Sequence, residues 1–260
     1  MKWIVCFVGI AMAACSQQPN YLSPKAIQLS TPVVKSKSVF IGKDNWLVTP
    51  KDSNTIGFEL SHRETGTTST HQPNDSIQLT KTGRYALRAV AAPFLPSEIV
   101  AFEILEPGQA VASIEWKSNP VPQYFKNGSR VLMDGKSAEN TFQASGWVGS
   151  KHPFEFSLVF NQSIAVDSIK ISVLCQPSNW ILPNATLQLS WKNNEQEAVK
   201  KEFILNQKTN NTTHSRYYLS FPIDDETDKI ALAFTPHDLP QAHPGAGTPA
   251  WIFMDELIVY

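Results

Sequence analysis

The chain contains little cysteine, little charge and no long apolar run. Three of its 260 residues are cysteine and 17% are charged, with 22 basic and 23 acidic side chains and a net charge of −1. So few cysteines argue against a disulfide-rich scaffold. The balanced charge argues against a nucleic-acid binder that depends on a basic face. No stretch approaches the roughly 18 apolar residues that a membrane-spanning helix needs.

What the chain does contain indicates a folded β protein. Hydrophobic residues make up 42% of the sequence and aromatic residues 10%, which argues against disorder. There are 18 prolines against 12 glycines, as expected where tight turns join many short strands. The length is sufficient for one large domain or two small ones with their own cores.

The N-terminus has the layout of an export signal. Residues 1–11 comprise a short positive start and an apolar segment too short to span a bilayer. The run MAAC at residues 12–15 then resembles the lipobox of a bacterial lipoprotein, with Met12 in place of the usual leucine. The resemblance implies a signal peptide over residues 1–14, an acylated Cys15 and a tether over residues 15–24. The alternative is an ordinary secretory signal with an incidental cysteine.

A lipobox also decides the fate of the three cysteines. Cys6 would be lost with the signal peptide and Cys15 would carry lipid, so Cys175 would remain alone and no intramolecular disulfide could form. We expect Cys175 to be a small buried hydrophobic residue next to a strand at residues 169–174. The alternative, a catalytic thiol, would need a histidine partner that the sequence cannot place.

Two blocks of alternating apolar residues predict two β-sandwiches. The first block predicts strands near residues 56–60, 77–79, 85–89 and 100–104, at the spacing of a small fibronectin-like sandwich over residues 25–106. The run EPG at residues 106–108 breaks the pattern and is the predicted boundary. The second block, residues 107–260, has the same period with longer loops, and no segment sustains a helical period. The predicted fold class is therefore all-β, with the second sandwich a jelly roll.

Five motifs of the second block carry a family resemblance. In chain order they are LMDG at residues 132–135, GWVG at 146–149, SNWILP at 178–183, HPGAG at 243–247 and WIFMDE at 251–256. This series is similar to the C-terminal discoidin-like, galactose-binding-fold domain of family 20 β-N-acetylhexosaminidases. Residues 24–106 resemble, more weakly, the small sandwich that precedes that domain. In those enzymes a catalytic barrel lies upstream, and a (β/α)₈ barrel of about 250 residues has no room in this chain.

The resemblance also implies a structural calcium ion. In discoidin-like domains a carboxylate of the Asp-Gly loop and a glutamate of the last strand join backbone carbonyls around calcium, which would correspond to Asp134 and Glu256 here. Calcium takes six to eight oxygen ligands, so two carboxylates from distant parts of the chain suit it. This chain departs from the pattern because 11 residues separate Gly135 from Trp147. The alternative is a plain Asp-Gly turn and a solvated glutamate.

Loop aromatics are the candidates for sugar binding. Sugar sites place an aromatic face against the apolar side of a pyranose and polar groups against its hydroxyls. Trp147, Trp180, Trp251 and His243 flank the predicted loops and are the candidate ligand-binding residues. The alternatives are that the tryptophans belong to the core and that His243 caps its turn. No catalytic residues are predicted, because the chain lacks the hydrolase, metalloprotease and nucleotide-binding motifs.

These observations lead to three hypotheses. The first is a non-catalytic, lipid-anchored accessory protein in the envelope of a Gram-negative bacterium, on the outer membrane facing the periplasm. Its discoidin-like module would bind an N-acetylhexosamine- or galactose-type glycan, or dock to a glycosidase partner. The second is a structural or interaction lipoprotein without a sugar site. The third is a hydrolase component related to β-N-acetylhexosaminidases.

Overall fold

A computed structural model describes residues 23–35, 38–41, 46–51, 53–138, 141–143, 146–205 and 215–260. The predicted signal peptide, Cys15 and all but the last two residues of the predicted tether lie outside the described residues. Within the described ranges the regular elements are strands and four short 3₁₀ helices, at Pro24–Ala26, Pro122–Tyr124, Gly128–Leu132 and Pro177–Asn179. None of the helices in these ranges has the length and apolarity to cross a membrane.

The N-terminal part forms a small sandwich of two antiparallel sheets. One sheet has the strand order β4-β3-β6-β7 and the other β1-β2-β5. Alternate residues of β3 and β6 point inward, and Phe58, Leu60 and Leu87 form the centre of the core between the sheets. The strands are β1 Val33–Lys35, β2 Trp46–Thr49, β3 Gly57–His62, β4 Thr68–His71, β5 Ser76–Ile77, β6 Gly83–Val90 and β7 Val100–Ile104.

The C-terminal part is built around two strands of 22 residues each, β10 and β13, which pair antiparallel along almost their whole length. They lie in a seven-stranded sheet of order β12-β11-β13-β10-β14-β9, with β8 also paired to β10. The strands are β8 Ser113–Ser118, β9 Val148–Ser150, β10 Phe154–Cys175, β11 Ala185–Lys192, β12 Ala198–Leu205, β13 Ser215–Pro236 and β14 Ile252–Val259.

This sheet folds over itself and encloses one core. Register shifts interrupt the β10–β13 pairing between Val159 and Ile164 and again between Val166 and Ser168. Before these bulges β10 pairs with β8, and after them it pairs with β14. Side chains from both halves belong to a single apolar cluster, which includes Phe156 and Ile171. The two halves therefore face each other as the layers of a sandwich, and the predicted all-β fold of two sandwiches is confirmed.

The core of the second sandwich gives a direct test of its stability. Phe156 is fully buried and its ring lies 4.7 Å from that of Trp116. We expect Phe156→Ala to lower the free energy of unfolding by about 3–5 kcal/mol, because it removes a large buried side chain and leaves a cavity. Urea unfolding measures the change, with Ile204→Ala as the exposed control, for which a change below about 0.5 kcal/mol is expected. Equal effects of the two substitutions would contradict the assigned core.

Candidate functional site

Two loops meet at one end of the second sandwich. β10 ends and β11 begins on either side of residues 176–184, while β13 ends and β14 begins on either side of residues 237–251. Backbone hydrogen bonds join the loops: Trp251 N–H donates to Trp180 O at 2.9 Å, and Leu182 N–H donates to Trp251 O at 3.1 Å. Cys175 pairs with Ser215 at one end of the β10–β13 ladder, whereas Ala185 pairs with Pro236 at the other end. Because the sheet folds over itself, both ends of the ladder meet here, and loops that lie about 70 residues apart in the chain come together.

Trp180 is the exposed aromatic residue at this end. Its side chain is 43% exposed, and its backbone has the left-handed conformation with φ 62° where the 3₁₀ helix Pro177–Asn179 ends. For a non-glycine residue this conformation costs about 1–2 kcal/mol, so the surrounding loop must hold it in place. The HPGAG turn lies against the ring, and a Cβ on Gly245 would come within 3.1 Å of it. Only glycine allows this close approach without displacement of the ring.

A hydrogen bond from His243 links the HPGAG turn to the 3₁₀ helix that precedes Trp180. Gly245 N–H donates to His243 Nδ1 at 3.0 Å, so the ring proton lies on Nε2, which donates to Pro177 O at 2.9 Å. Both ring nitrogens are therefore engaged within the protein. This arrangement agrees with the alternative that His243 caps its turn, and the contact with a sugar hydroxyl stays a prediction. The residue positions the turn against Trp180.

Trp251 lies beside Trp180 and is half-buried. Its ring meets Tyr124 edge-on at 5.3 Å and is tilted against Phe253 at 5.8 Å, while Lys151 Nζ lies 5.7 Å from its centroid. The packing holds the ring in a fixed orientation, and the cation–π contact places the Lys151 ammonium over its face. Tyr124 and Lys151 were not predicted as site residues. Nothing in their local sequence distinguishes them, because only the fold brings them to Trp251.

Trp147 is a core residue. Its side chain is 3% exposed and packs with Leu174, Ile181 and Phe253 beneath the loop end. The burial agrees with the alternative that Trp147 belongs to the core, because a ring buried to this degree presents no face to a pyranose, and its ligand-binding role stays a prediction. The sequence also allows Trp180 to be a core residue, but in the structure its side chain is exposed. Alternation of apolar residues does not tell which of two loop tryptophans points inward.

A β-bulge in the last strand places two carboxylates on one face. Ile171 pairs with Leu257, but Val173 pairs with Met254, so Asp255 and Glu256 together oppose the single residue Ser172. Met254 and Leu257 point into the core on either side of the bulge. Without the bulge, strict alternation would turn Glu256 into the apolar core. The bulge instead turns both acids outward, where the loop from residue 133 to 138 covers them.

Asp255 is buried against Arg216. Its carboxyl is 1% exposed, with Oδ2 3.4 Å from Arg216 Nη1 and 2.8 Å from Ala138 N, whose N–H donates to it. Burial raises the pKa of Asp255, and the guanidinium of Arg216 opposes this shift. Arg216 also donates to Ala138 O, at 3.3 Å, so one ion pair holds the loop onto β13 and β14. A carboxylate left here without its partner would cost several kcal/mol.

Glu256 forms no ion pair with a cationic side chain in the described part of the chain. It is 1% exposed and its Oε2 has no hydrogen-bond partner there. Burial, then the charges of Asp134 and Asp255, raise the pKa of Glu256 to about 9, although the N–H groups of Gly135 and Lys136 lower it. Asp134 is exposed in the adjacent turn, where its Oδ1 accepts the N–H of Lys136 at 2.9 Å. The proximity of Asp134 and Glu256 favours the binding of a proton or a cation, because two neighbouring negative charges repel each other.

The two predicted carboxylate ligands lie near each other, as a calcium ion would need, but further ligands would have to come from the backbone. Asp134 and Glu256, predicted as ligands, do lie close together, and the unpaired buried oxygen of Glu256 is the kind of atom that a cation would satisfy. Among the described residues no group of three or more acidic, histidine or cysteine side chains is arranged to hold a metal. Backbone carbonyls would have to complete the shell. One such carbonyl, Gly135 O, already accepts the N–H of Val39 at 2.9 Å.

Cys175 does not have the environment of a nucleophile. It is buried beside Leu182 and Leu239, and burial raises the pKa of its thiol to about 11. The thiolate is the reactive form, and a raised pKa makes it scarce at neutral pH. Cys175 is therefore a small core residue, which agrees with the expectation from the sequence.

The reactivity of Cys175 can be measured directly. We expect the folded protein at pH 8 to react with a thiol reagent at least about 100-fold more slowly than the protein in urea, because both the raised pKa and burial disappear on unfolding. Mass spectrometry of the labelled peptide identifies the site, and Cys175→Ala is the control that removes the signal. Equal rates in both states would show that the thiol is accessible.

No protein-family model matches the chain, and no curated protein matches it in sequence. Among solved structures it is similar to a CBM32 module of Clostridium perfringens in complex with GlcNAc-α-1,4-galactose, with 12% identity over 56% of this chain and 88% of that one and a TM-score of 0.34. It is also similar to a SusE-like protein, with 13% identity over 89% and 97% of the two chains and a TM-score of 0.35. A structure described as a glycoside hydrolase has 9% identity over 92% of this chain and 61% of that one, with a TM-score of 0.36. Similarity at this level identifies neither a ligand nor a family for this chain.

Proposed function

We propose that this protein is a non-catalytic, lipid-anchored accessory protein of the cell envelope that binds glycans at the loop end of its second sandwich. The observation that carries the proposal is Trp180, a large aromatic side chain held exposed in a strained backbone conformation between two fastened loops. Strain at a surface position persists only where the surroundings enforce it, and such positions are concentrated in binding sites.

The surroundings of Trp180 suit a sugar. A pyranose presents an apolar C–H face, which stacks on an indole, and a rim of hydroxyls, which need polar partners. The backbone of Trp251 is hydrogen-bonded to that of Trp180, Lys151 lies over the ring of Trp251, and the exposed turn around Gly247 offers backbone groups. Because His243 and the loop hydrogen bonds fix the geometry in advance, little conformational entropy is lost on binding.

The class of glycan follows from the sequence motifs. The HPGAG and WIFMDE segments, which resemble the tail of family 20 β-N-acetylhexosaminidases, form the turn against Trp180 and the last strand. We therefore infer an N-acetylhexosamine- or galactose-type ligand. The resemblance to a glycosidase tail also makes a glycan-processing enzyme the natural partner.

Asp255 and Glu256 do not suit hydrolysis. Glycosidase chemistry needs two carboxylates on opposite sides of a bound sugar. Asp255 and Glu256 are adjacent and each only 1% exposed, beneath the loop that ends at Ala138. Purified protein should release no chromophore from a chromogenic N-acetylglucosaminide.

A matched pair of tryptophan substitutions tests glycan binding. Trp180→Asn removes the exposed ring, and asparagine tolerates the left-handed conformation, so we expect binding to fall at least about tenfold while stability is unchanged or slightly higher. Trp147→Phe should do the reverse, lowering stability by roughly 1–3 kcal/mol because a buried ring is truncated, with the affinity of the folded protein retained. Affinity electrophoresis on N-acetylhexosamine glycans and thermal unfolding measure the two effects.

The result also separates glycan binding from a purely structural role. If the wild-type protein is retained by no N-acetylhexosamine- or galactose-containing glycan, the binding proposal fails and the second hypothesis, an interaction protein without a sugar site, replaces it. The engagement of both His243 nitrogens and the burial of Trp147 favour that alternative to a degree, because they leave fewer groups free for hydroxyls.

We further propose a structural calcium ion between Asp134 and Glu256. Its binding to the folded state alone would stabilise the protein by about 2.7 kcal/mol at a calcium concentration of 100 times Kd, which corresponds to a rise in Tm of several degrees. Asp134→Asn keeps the hydrogen bond to Lys136 but removes the charge, so this variant should lose the rise. Asp238→Asn, an exposed loop acid, is the control that should retain it. Identical Tm values for the wild type in calcium and in chelator would exclude the ion.

A further inference from the structure

The exposed aliphatic side chains of this protein are concentrated at one place. Six large hydrophobic side chains are exposed in the described ranges, and four of them, Ile27, Ile56, Leu95 and Ile99, belong to the first sandwich, with exposed fractions of 38–62%. Single exposed aliphatic residues are ordinary, but a cluster marks a surface that contacts something apolar.

The four residues share one end of the first sandwich. β3 begins at residue 57, β6 ends at 90 and β7 begins at 100, so the segments 53–56 and 91–99 lie at the same end of the sheet. Leu95 N–H donates to Ile27 O at 3.0 Å, which brings the N-terminal segment there as well. Ile56 N–H donates to Val90 O at 3.3 Å, at the end of β6. We call this surface the apolar end.

The apolar end points away from the second sandwich. At the opposite end, Leu105 pairs with Phe40, and the ring of Phe40 packs on Gly135 of the second sandwich. The turns at that opposite end, residues 62–67 and 81–83, are polar. The second sandwich therefore does not cover the apolar end.

The charged side chains near the apolar end do not indicate a charged partner. The charged side chains described on its loops are two lysines and two acids, Lys25, Lys51, Asp75 and Glu98. These four charges balance, so the described side chains of these loops favour a partner of neither sign. What distinguishes it is its exposed aliphatic area, which water disfavours by about 25 cal/mol per Å².

The chain itself indicates what covers this surface. Only seven residues separate Cys15, the predicted acylation site, from Ser23, the first described residue, and Ile27 follows four residues later. Even fully extended, the eight residue steps from Cys15 to Ser23 span only about 28 Å. A lipid on Cys15 would therefore keep the apolar end close to the bilayer surface, with the second sandwich farther away.

We propose that the apolar end lies on the bilayer and inserts Leu95, Ile99, Ile56 and Ile27 at the level of the lipid headgroups. The bilayer contact adds to the anchor, because membrane affinity grows with buried apolar area. It also fixes the orientation of the protein, so that the loop end with Trp180 is held away from the membrane. The proposal depends on the lipid-anchor part of the proposed function and is independent of glycan binding.

The test uses acylated protein in vesicles of phosphatidylethanolamine and phosphatidylglycerol. Cys175 is buried, so a cysteine introduced at the surface of the acylated protein is the accessible thiol among the described residues. An environment-sensitive fluorophore is attached to Leu95→Cys and Ile99→Cys, and to Ile204→Cys as control, since Ile204 is 64% exposed but lies on the second sandwich. We expect blue-shifted emission and quenching by nitroxide-labelled lipid at positions 95 and 99, and neither at 204.

A second measurement removes the anchor. In the chain that begins at residue 15 and carries Cys15→Ser, we expect Leu95→Ser combined with Ile99→Ser to lower vesicle partitioning about tenfold, whereas Ile204→Ser leaves it unchanged. Thermal unfolding checks that each variant is folded.

The outcomes separate this proposal from the others. If intact mass shows acylated Cys15 but the labels at 95 and 99 behave like that at 204, the bilayer contact is wrong and the anchor stands. If Cys15 carries no lipid, both fail, and glycan binding is unaffected. If positions 95 and 99 are instead protected in a dimer that sedimentation detects without vesicles, a second copy covers the apolar end and the proposal is overturned.

Discussion

The antiparallel pairing of β10 with β13 is the interaction on which the second sandwich depends. Each strand spans 22 residues, and the bulges near their midpoints let one continuous sheet fold into two layers. Because the same two strands serve both layers, the core between them is formed by a single set of side chains. β10 and β13 end at opposite ends of their ladder, and the fold at the bulges brings these two ends together, so that the segments carrying Trp180 and His243 meet.

A second constraint is that the buried carboxyl groups of β14 need polar or charged partners. The bulge in β14 turns Asp255 and Glu256 out of the apolar core, where unpaired carboxylates would cost several kcal/mol. Outside the core they still need partners. Asp255 obtains Arg216 and Ala138, whereas Glu256 obtains backbone N–H groups and faces the like charge of Asp134. Two acids without a cationic partner for Glu256 are the physical basis for proposing a cation there. The described part of this sandwich contains a single free thiol, so a cation would link its segments where a disulfide does not.

The two ends of the molecule have different surface chemistry. The loop end of the second sandwich presents one tryptophan held by hydrogen bonds, whereas the apolar end of the first sandwich presents aliphatic side chains with balanced charge. A ring fixed among polar backbone groups suits a sugar, and loose aliphatic side chains suit lipid. The contact of Phe40 with Gly135 lies between these surfaces. A glycan site directed away from an anchoring surface is consistent with an accessory role in the envelope.

The period-2 alternation of residues such as Phe154, Phe156 and Leu158 was sufficient to predict strands, two sandwiches and a buried Cys175, because inward-facing positions must be apolar wherever one face of a strand is covered. The motifs were also sufficient to bring Asp134 and Glu256 under consideration as neighbours. The sequence could not predict which of Trp147 and Trp180 is buried, since both lie in predicted loops next to an apolar residue. Only the packing of Leu174, Ile181 and Phe253 made the first a core residue and left the second exposed.

Other features belong to the tertiary structure alone. Two adjacent acids in an otherwise apolar strand, Asp255 and Glu256, hint at a bulge, because strict alternation would bury one of them, but the hint does not say which way the strand bends. The ion pair with Arg216, the engagement of both His243 nitrogens and the gathering of Ile27, Ile56, Leu95 and Ile99 at one end all join residues far apart in the chain. The sequence by itself determined which positions are apolar and hence the class of fold. The tertiary structure decided which polar groups find partners and which surfaces remain uncovered, because those depend on long-range contacts that no local pattern encodes.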